Sequence, residues 1–100
     1  MLFRSPRYSG GETKLFEFLR DNIKYPKVER RKGIAGRVII SFVIDKDGSV
    51  KNVKIFKGVS SGIDEEALRV IRLMPKWSAG MQDGNPVSVQ FSMPINFSLK

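Results

Sequence analysis

Between Val87 and Leu99, apolar and non-apolar residues alternate without exception: Val87, Val89, Phe91, Met93, Ile95, Phe97 and Leu99 against Ser88, Gln90, Ser92, Pro94, Asn96 and Ser98. A strand sends successive side chains to opposite faces, so this stretch has one surface for a core and one for water. Unbroken, at about 3.3 Å per residue, it spans roughly 43 Å, well beyond an ordinary strand of 5–6 residues. A small domain does not pair a strand of that length along both sides. Pro94 points the same way, because a residue without an N–H is confined to sheet edges and bulges. The expectation is a long C-terminal edge strand, and such an edge invites a second chain.

The rest of the composition narrows what that edge serves. With 100 residues and 41% hydrophobic content, the chain suits one domain with a modest core. No segment has the roughly 20 apolar residues of a membrane span, and the start MLFRSPRYSGG has no apolar signal-peptide region. Cys and His are both absent, which removes thiol nucleophiles, disulfides, imidazole bases and zinc sites built on those ligands. The formal net charge of +8 favours anionic surroundings. Much of it is local: Lys24, Lys27, Arg30, Arg31, Lys32 and Arg37 crowd one stretch, opposed only by Glu29. A solvated basic face is the plainest account of that stretch.

Residues 1–11 are turn-rich and end in Gly10-Gly11, which predicts a flexible N-terminal segment before a domain over 12–100. Leu15, Phe18, Leu19 and Ile23 recur at helical spacing, and Pro26 disfavours helix at Tyr25. The basic stretch follows with room for a short helical turn. Val38, Ile40, Phe42 and Ile44 then alternate in a strand whose other face carries Ile39 and Val43, as suits a central position. Asp45-Lys46-Asp47-Gly48 reads as a tight hairpin connection, with Asp bonding its own backbone and Gly supplying the left-handed turn. Residues 50–57 return as a second strand, with poorer alternation that suits a bulge. Ile63-Asp64 reads as a staple residue and N-cap of a helix running to about Met74, with Glu65 and Arg69 as an i,i+4 pair. Gly80, Gly84 and Pro86 mark a loop before the long strand. Phe42 and Phe56 are expected in the core, and Trp77, directly after the helix stop at Pro75, is expected to anchor it. The fold class is α+β: a three-stranded antiparallel sheet in the order 2-1-3, two helices on one face, and the last strand at an edge.

Neither catalysis nor metal binding has a foothold. Asp45-x-Asp47-Gly48 lacks the later oxygen ligands of a calcium loop, with Phe56 at the twelfth position. Glu65 and Glu66 diverge on a helix, and Gly10-Gly11 lacks the spacing of a phosphate loop. No enzymatic activity, cofactor or metal is expected. The basic stretch lacks the aromatic interleaving of nucleic-acid modules, so no nucleic-acid partner is expected either, although a small basic binding module is the rival class.

Taken in order, seven motifs resemble one family. They are Tyr25-Pro26, Gly36-x-Val38, Phe42-x-Ile44-Asp45-x-Asp47-Gly48-x-Val50, Asp64-x-x-Ala67-Leu68, Pro75-Lys76-Trp77-x-x-Gly80, Gly84-x-Pro86-Val87 and Phe91-x-x-Pro94-Ile95-Asn96-Phe97. Over about residues 12–99 the chain resembles the TonB C-terminal domain family. Two positions depart from it: Ala79 stands where many members have a second Pro, and Glu29 where a small residue is common.

The resemblance implies the periplasmic domain of an inner-membrane-anchored protein, with the anchor upstream and Met1 an artificial start. It implies binding of the TonB box, a short extended segment of outer-membrane transporters. Force from the proton-driven ExbB and ExbD complex, reached through the N-terminal region, would then serve uptake of siderophores, cobalamin or other nutrients. Similar domains also end membrane-bound sensor or peptidase-like proteins. The residues expected to meet the peptide are Tyr25, Pro26, Ser88, Gln90, Ser92, Pro94, Asn96 and Ser98. Lys24, Lys27, Arg30, Arg31 and Lys32 would steer acidic flanks, and Asp45, Asp47, Gly48, Asp64 and Trp77 would hold the scaffold. The exposed edge also permits weak homodimerisation through strand-to-strand pairing.

Overall fold

Strand β2 (Gly36–Ile44) buries Val38, Ile40, Phe42 and Ile44 completely, and it is paired along both sides. A computed structural model, describing residues 2–99, sets β3 (Val50–Lys57) on one side of it and β6 (Val89–Phe97) on the other, both antiparallel. Met1 and Lys100, the outer ends of the expected N-terminal segment and domain, lie outside the described residues. The order β3-β2-β6 is the 2-1-3 arrangement expected from sequence.

Helices α1 (Glu12–Asn22) and α3 (Ser61–Arg72) close the core, which receives Leu15 and Leu19 from the first and Ile63, Ala67, Val70 and Ile71 from the second. Met93, Ile95 and Phe97 of β6 meet them from the sheet. The basic stretch forms a further short helix, α2 (Lys27–Lys32), stopped by Gly33 at φ 70°. The β2–β3 hairpin turns as its residues dictate. Asp45 accepts the Lys46 N–H at 2.8 Å, Asp47 accepts the Ser49 N–H at 2.9 Å, and Gly48 adopts φ 87°. Gly48 also fits tightly, since a Cβ there would collide with the Trp77 carbonyl.

The irregular alternation of β3 has a structural cause. Its register against β2 shifts twice, between Ile39 and Ile40 and between Ser41 and Val43, and Asn52 sits at φ 52°. Each shift inserts one residue on the β3 side and reverses the faces beyond it. Phe56, expected in the core, is consequently 75% exposed. The start of α3 also differs from the expectation at Asp64. Ser60 is the N-cap, its hydroxyl accepting the Ile63 N–H, while Asp64 accepts the Val59 N–H at 2.9 Å from within the helix. The pair expected at Glu65 forms one residue later, where Glu66 also accepts the Lys24 N–H and Arg69 also donates to the Asn22 carbonyl at the end of α1. Arg69 instead binds Glu66 through two contacts of 2.7 Å.

The larger revision concerns the N-terminus. Residues 2–11, expected to be a flexible segment, are docked on the domain through a second three-stranded sheet. There β4 (Gly80–Gln82) pairs with both β1 (Phe3–Arg4) and β5 (Asn85–Val87). Arg7 and Ser78 exchange backbone hydrogen bonds of 3.0 and 2.8 Å, and Tyr8 is buried against Trp77. The alternating run is likewise divided between sheets. Val87 pairs with Gly80 in the small sheet, Ser88 makes the break, and pairing with β2 begins at Val89, so Ser88 and Ser98 both lie outside β6.

Candidate functional site

The main sheet has two edges, and they differ in kind. Along β3 the two bulges interrupt the backbone, and Lys51, Lys54 and Lys57 stand exposed. Bulges and lysines are how an edge is kept from pairing with other chains. Along β6 there is neither. Its register against β2 runs without a shift from Val89 to Phe97, including Ile39 opposite Pro94, and its exposed residues Gln90, Ser92, Pro94 and Asn96 carry no charge.

Both ends of this edge are fastened. Asp45 accepts the Ser88 hydroxyl at 2.6 Å and pairs with Lys51 at 2.7 Å, so the hairpin tip holds the entry to β6. The Lys51 ammonium, the Ser88 hydroxyl and the Lys46 N–H together hold the Asp45 carboxyl well below the ordinary range. Phe91 lies in an aromatic cluster with Trp77, at 5.3 Å between ring centres, and with Phe42 at 5.7 Å. Trp77 is 5% exposed and also contacts Tyr8 at 5.5 Å. Its indole N–H has no hydrogen-bond partner among the described residues, so its contribution is packing. At the far end, the Tyr25 ring stands edge-on to Phe97 at 5.6 Å, and its hydroxyl donates to the Ile34 carbonyl. Tyr25 therefore faces inward, and Pro26 is the N-cap residue of α2.

Next to that end, α2 carries Lys27, Arg30, Arg31 and Lys32, and Lys24 stands three residues before it, all exposed. The one carboxylate in the stretch is turned away. Glu29 is 7% exposed and accepts the Ser60 hydroxyl at 2.9 Å, so it sits at the N-terminal end of α3. That bond, with the backbone N–H groups of Gly62 and Ile63, holds the Glu29 carboxyl below its usual range. The helix N-terminus favours an anion there, and Gly62 leaves the space it needs. Sequence reasoning took Glu29 as partial compensation for the basic stretch. In the folded domain it serves α3 instead.

The arrangement thus combines an unprotected edge, rigid supports at both of its ends and a cationic helix near one of them. Asp47 accepts the Ser49 N–H and lies 3.8 Å from Lys76, Gly48 packs against the Trp77 carbonyl, and Asp64 accepts the Val59 N–H from inside α3. Sequence reasoning missed the roles of Tyr8, Ser60 and Glu29. Only Ser60 carried a local signal, as a Ser three residues before Ile63 at the start of an apolar helical pattern.

Comparison with known proteins agrees with this architecture. Residues 21–99 match the family model described as Gram-negative bacterial TonB protein C-terminal. Protein TonB of Helicobacter pylori (strain J99) is 36% identical over 78 residues, which is 77% of this chain and 26% of that protein. Protein TonB of Vibrio cholerae is 31% identical over 78 residues, 77% of this chain and 32% of that protein. The chain therefore spans about a quarter to a third of the length of these relatives. A solution structure of the H. pylori TonB C-terminal domain superposes with a TM-score of 0.67 at 30% identity, covering 88% of this chain and 79% of that one. The Pseudomonas aeruginosa TonB C-terminal domain has the same fold, with a TM-score of 0.62 at 24% identity over 77% of this chain and 78% of that one. With the motifs, the sheet order and the matched residues in agreement, this chain belongs to the TonB C-terminal domain family.

Proposed function

We propose that this domain captures the TonB box of an outer-membrane transporter by β-strand addition along the outer edge of β6. It acts as the periplasmic part of an inner-membrane-anchored, energy-transducing protein. The observation that carries the proposal is the contrast between the two sheet edges: β3 is bulged and lined with lysines, while β6 is regular, uncharged and, among the described residues, unpaired on its outer side. Strand addition draws on main-chain hydrogen bonds and demands little of the partner's sequence, which suits a coupler serving several transporters. Its role is mechanical coupling, not catalysis. ExbB and ExbD would drive it through the region upstream, and uptake of siderophores, cobalamin or similar nutrients is the process served.

Successive residues of a strand aim their backbone groups at alternate lateral sides. The unbroken register opposite Pro94 supports placing the residue that lacks an N–H in the outward set. Gln90, Ser92 and Asn96 then present their backbone to the peptide, with the firmest grip at Gln90 and Ser92. Ser88 and Ser98 flank the strand and mark its two limits. Lys24, Lys27, Arg30, Arg31 and Lys32 attract acidic residues at one end of the incoming segment. Pro26 borders that end, and Tyr25 supports it from beneath through Phe97.

The test compares two proline variants with a synthetic TonB-box peptide, using calorimetry for binding and thermal melting for the fold. Ser92→Pro removes an outward donor and should weaken binding at least tenfold while the melting temperature stays near wild type. Phe91→Pro removes an inward donor and should unfold the domain, by about 3 kcal/mol or more. The reverse pattern, with Ser92→Pro unfolding and Phe91→Pro only losing affinity, would contradict the lateral assignment.

A further inference from the structure

Helix α1 lies almost wholly before residue 21, where the family match begins, and it does not pack flush against β6. Phe16, Leu19 and Arg20 of the helix, with Ile23 at its C-cap, face Pro94, Ile95 and Asn96 of the strand across a groove of about 330 Å³. Phe16 is 61% exposed in this wall, although α1 buries Leu15 and Leu19 beside it. The groove opens next to the stretch of edge where Pro94 leaves a gap in the row of donors. It lies at the lower end of the volume range of small-molecule sites and is open to solvent, which suits one or two side chains of a peptide.

We propose that this groove selects among peptides by taking the helix-facing side chain of the added strand, the one beside Ile95, as a large apolar residue against Phe16 and Ile23. A neighbouring acidic residue would meet Arg20 at the rim, in competition with Asp21, whose carboxylate lies 3.1 Å from the Arg20 Nε. The inference rests on the strand-addition reading above. An added strand lies about 4.8 Å outside β6, and alternate side chains of it point to the helix side of the sheet. The side chain beside Ile95 therefore enters the space that α1 walls off. Strand addition alone is tolerant of sequence. Contact with Phe16 supplies a preference at one position, just where the ladder offers no hydrogen bond from Pro94. The occupant is thus an extended peptide with an apolar residue at that position and a carboxylate near it.

Two synthetic TonB-box peptides test this, identical except for Leu or Ala at the position beside Ile95. Affinity is measured for the wild type and Phe16→Ala, and amide exchange at Gln90 and Ser92 is followed in parallel. Phe16 is largely exposed, so its truncation should leave the fold intact. The Leu peptide should bind the wild type about tenfold more tightly than the Ala peptide, and Phe16→Ala should reduce that ratio to near one while both peptides still protect Gln90 and Ser92. Protection of Gln90 and Ser92 with the same Leu-to-Ala ratio in both proteins would overturn the groove and leave strand addition standing. Absence of protection at Gln90 and Ser92 with either peptide would overturn both.

Discussion

At the scale of the residue, Glu29 decides more than its place in a basic run suggests. Its carboxylate is buried at the start of α3, held by the Ser60 hydroxyl and the Gly62 and Ile63 N–H groups below its ordinary value of 4.5. A group whose pKa is lowered by folding stabilises the native state above its unfolded pKa, and that contribution disappears as pH falls through the folded value. Asp45, Asp47 and Glu66 are held low as well, so the wild type should lose stability from about pH 5 downwards. Glu29→Gln isolates one of these groups. Its melting temperature should lie clearly below wild type at pH 7, and the gap should narrow between about pH 5 and pH 3. A gap that stays constant across that range in thermal melts would show that the charge at this position is immaterial.

At the scale of the element, α2 carries surface positive charge that its own carboxylate does not oppose, because Glu29 is turned inward. Exposed charges act on association over roughly a Debye length, about 10 Å at 0.1 M salt. Arg30→Glu combined with Arg31→Glu should slow association with an acidic-flanked TonB-box peptide about tenfold at low ionic strength, with little effect on dissociation. Stopped-flow rates at two salt concentrations check this. Equal slowing at low and high salt would mean the residues act by contact.

The same scale shows what the sequence could and could not reveal. The β2 alternation and the Asp45–Gly48 turn depend on neighbouring residues, and both appear in the fold as their spacing implies. The second sheet was hidden because β1 and β4 have two and three residues, and β1 is defined only by its pairing with β4, 77 to 79 positions away in sequence. Asp83-Gly84, with φ values of 49° and 82°, was the one local sign of the hairpin that completes it. Phe56 misled because a bulge reverses the faces of a strand without changing its composition. Of the candidate site, the open edge was legible from the run after Ser88. The inward use of Tyr25 and Glu29 was not, since it depends on Phe97 and Ser60, which come from distant parts of the chain.

At the scale of the molecule, the domain measures 50 × 23 × 19 Å. The small sheet and the docked N-terminal residues extend it beyond the three main strands. Tyr8 links the two parts through its contacts with Trp77 and Phe18. Tyr8→Ala should therefore destabilise the whole domain by about 3 kcal/mol in denaturant unfolding. A loss confined to a few tenths of a kcal/mol would return residues 2–11 to the role of a loose leader.

The most direct test of the account uses the absence of cysteine from the chain. Single cysteines placed at Gln90, Ser92 and Asn96 on the β6 edge, and at Lys54 on the β3 edge, are each offered TonB-box peptides carrying one cysteine at successive positions. Paired strands bring opposite Cβ atoms within about 5.5 Å, close enough for a disulfide after small adjustment. The account predicts efficient trapping at the three β6 positions, with the favoured peptide position shifting stepwise along the strand, and little trapping at Lys54. Trapping at Lys54 with none on β6, or trapping on β6 without any dependence on peptide position, would contradict strand addition at this edge.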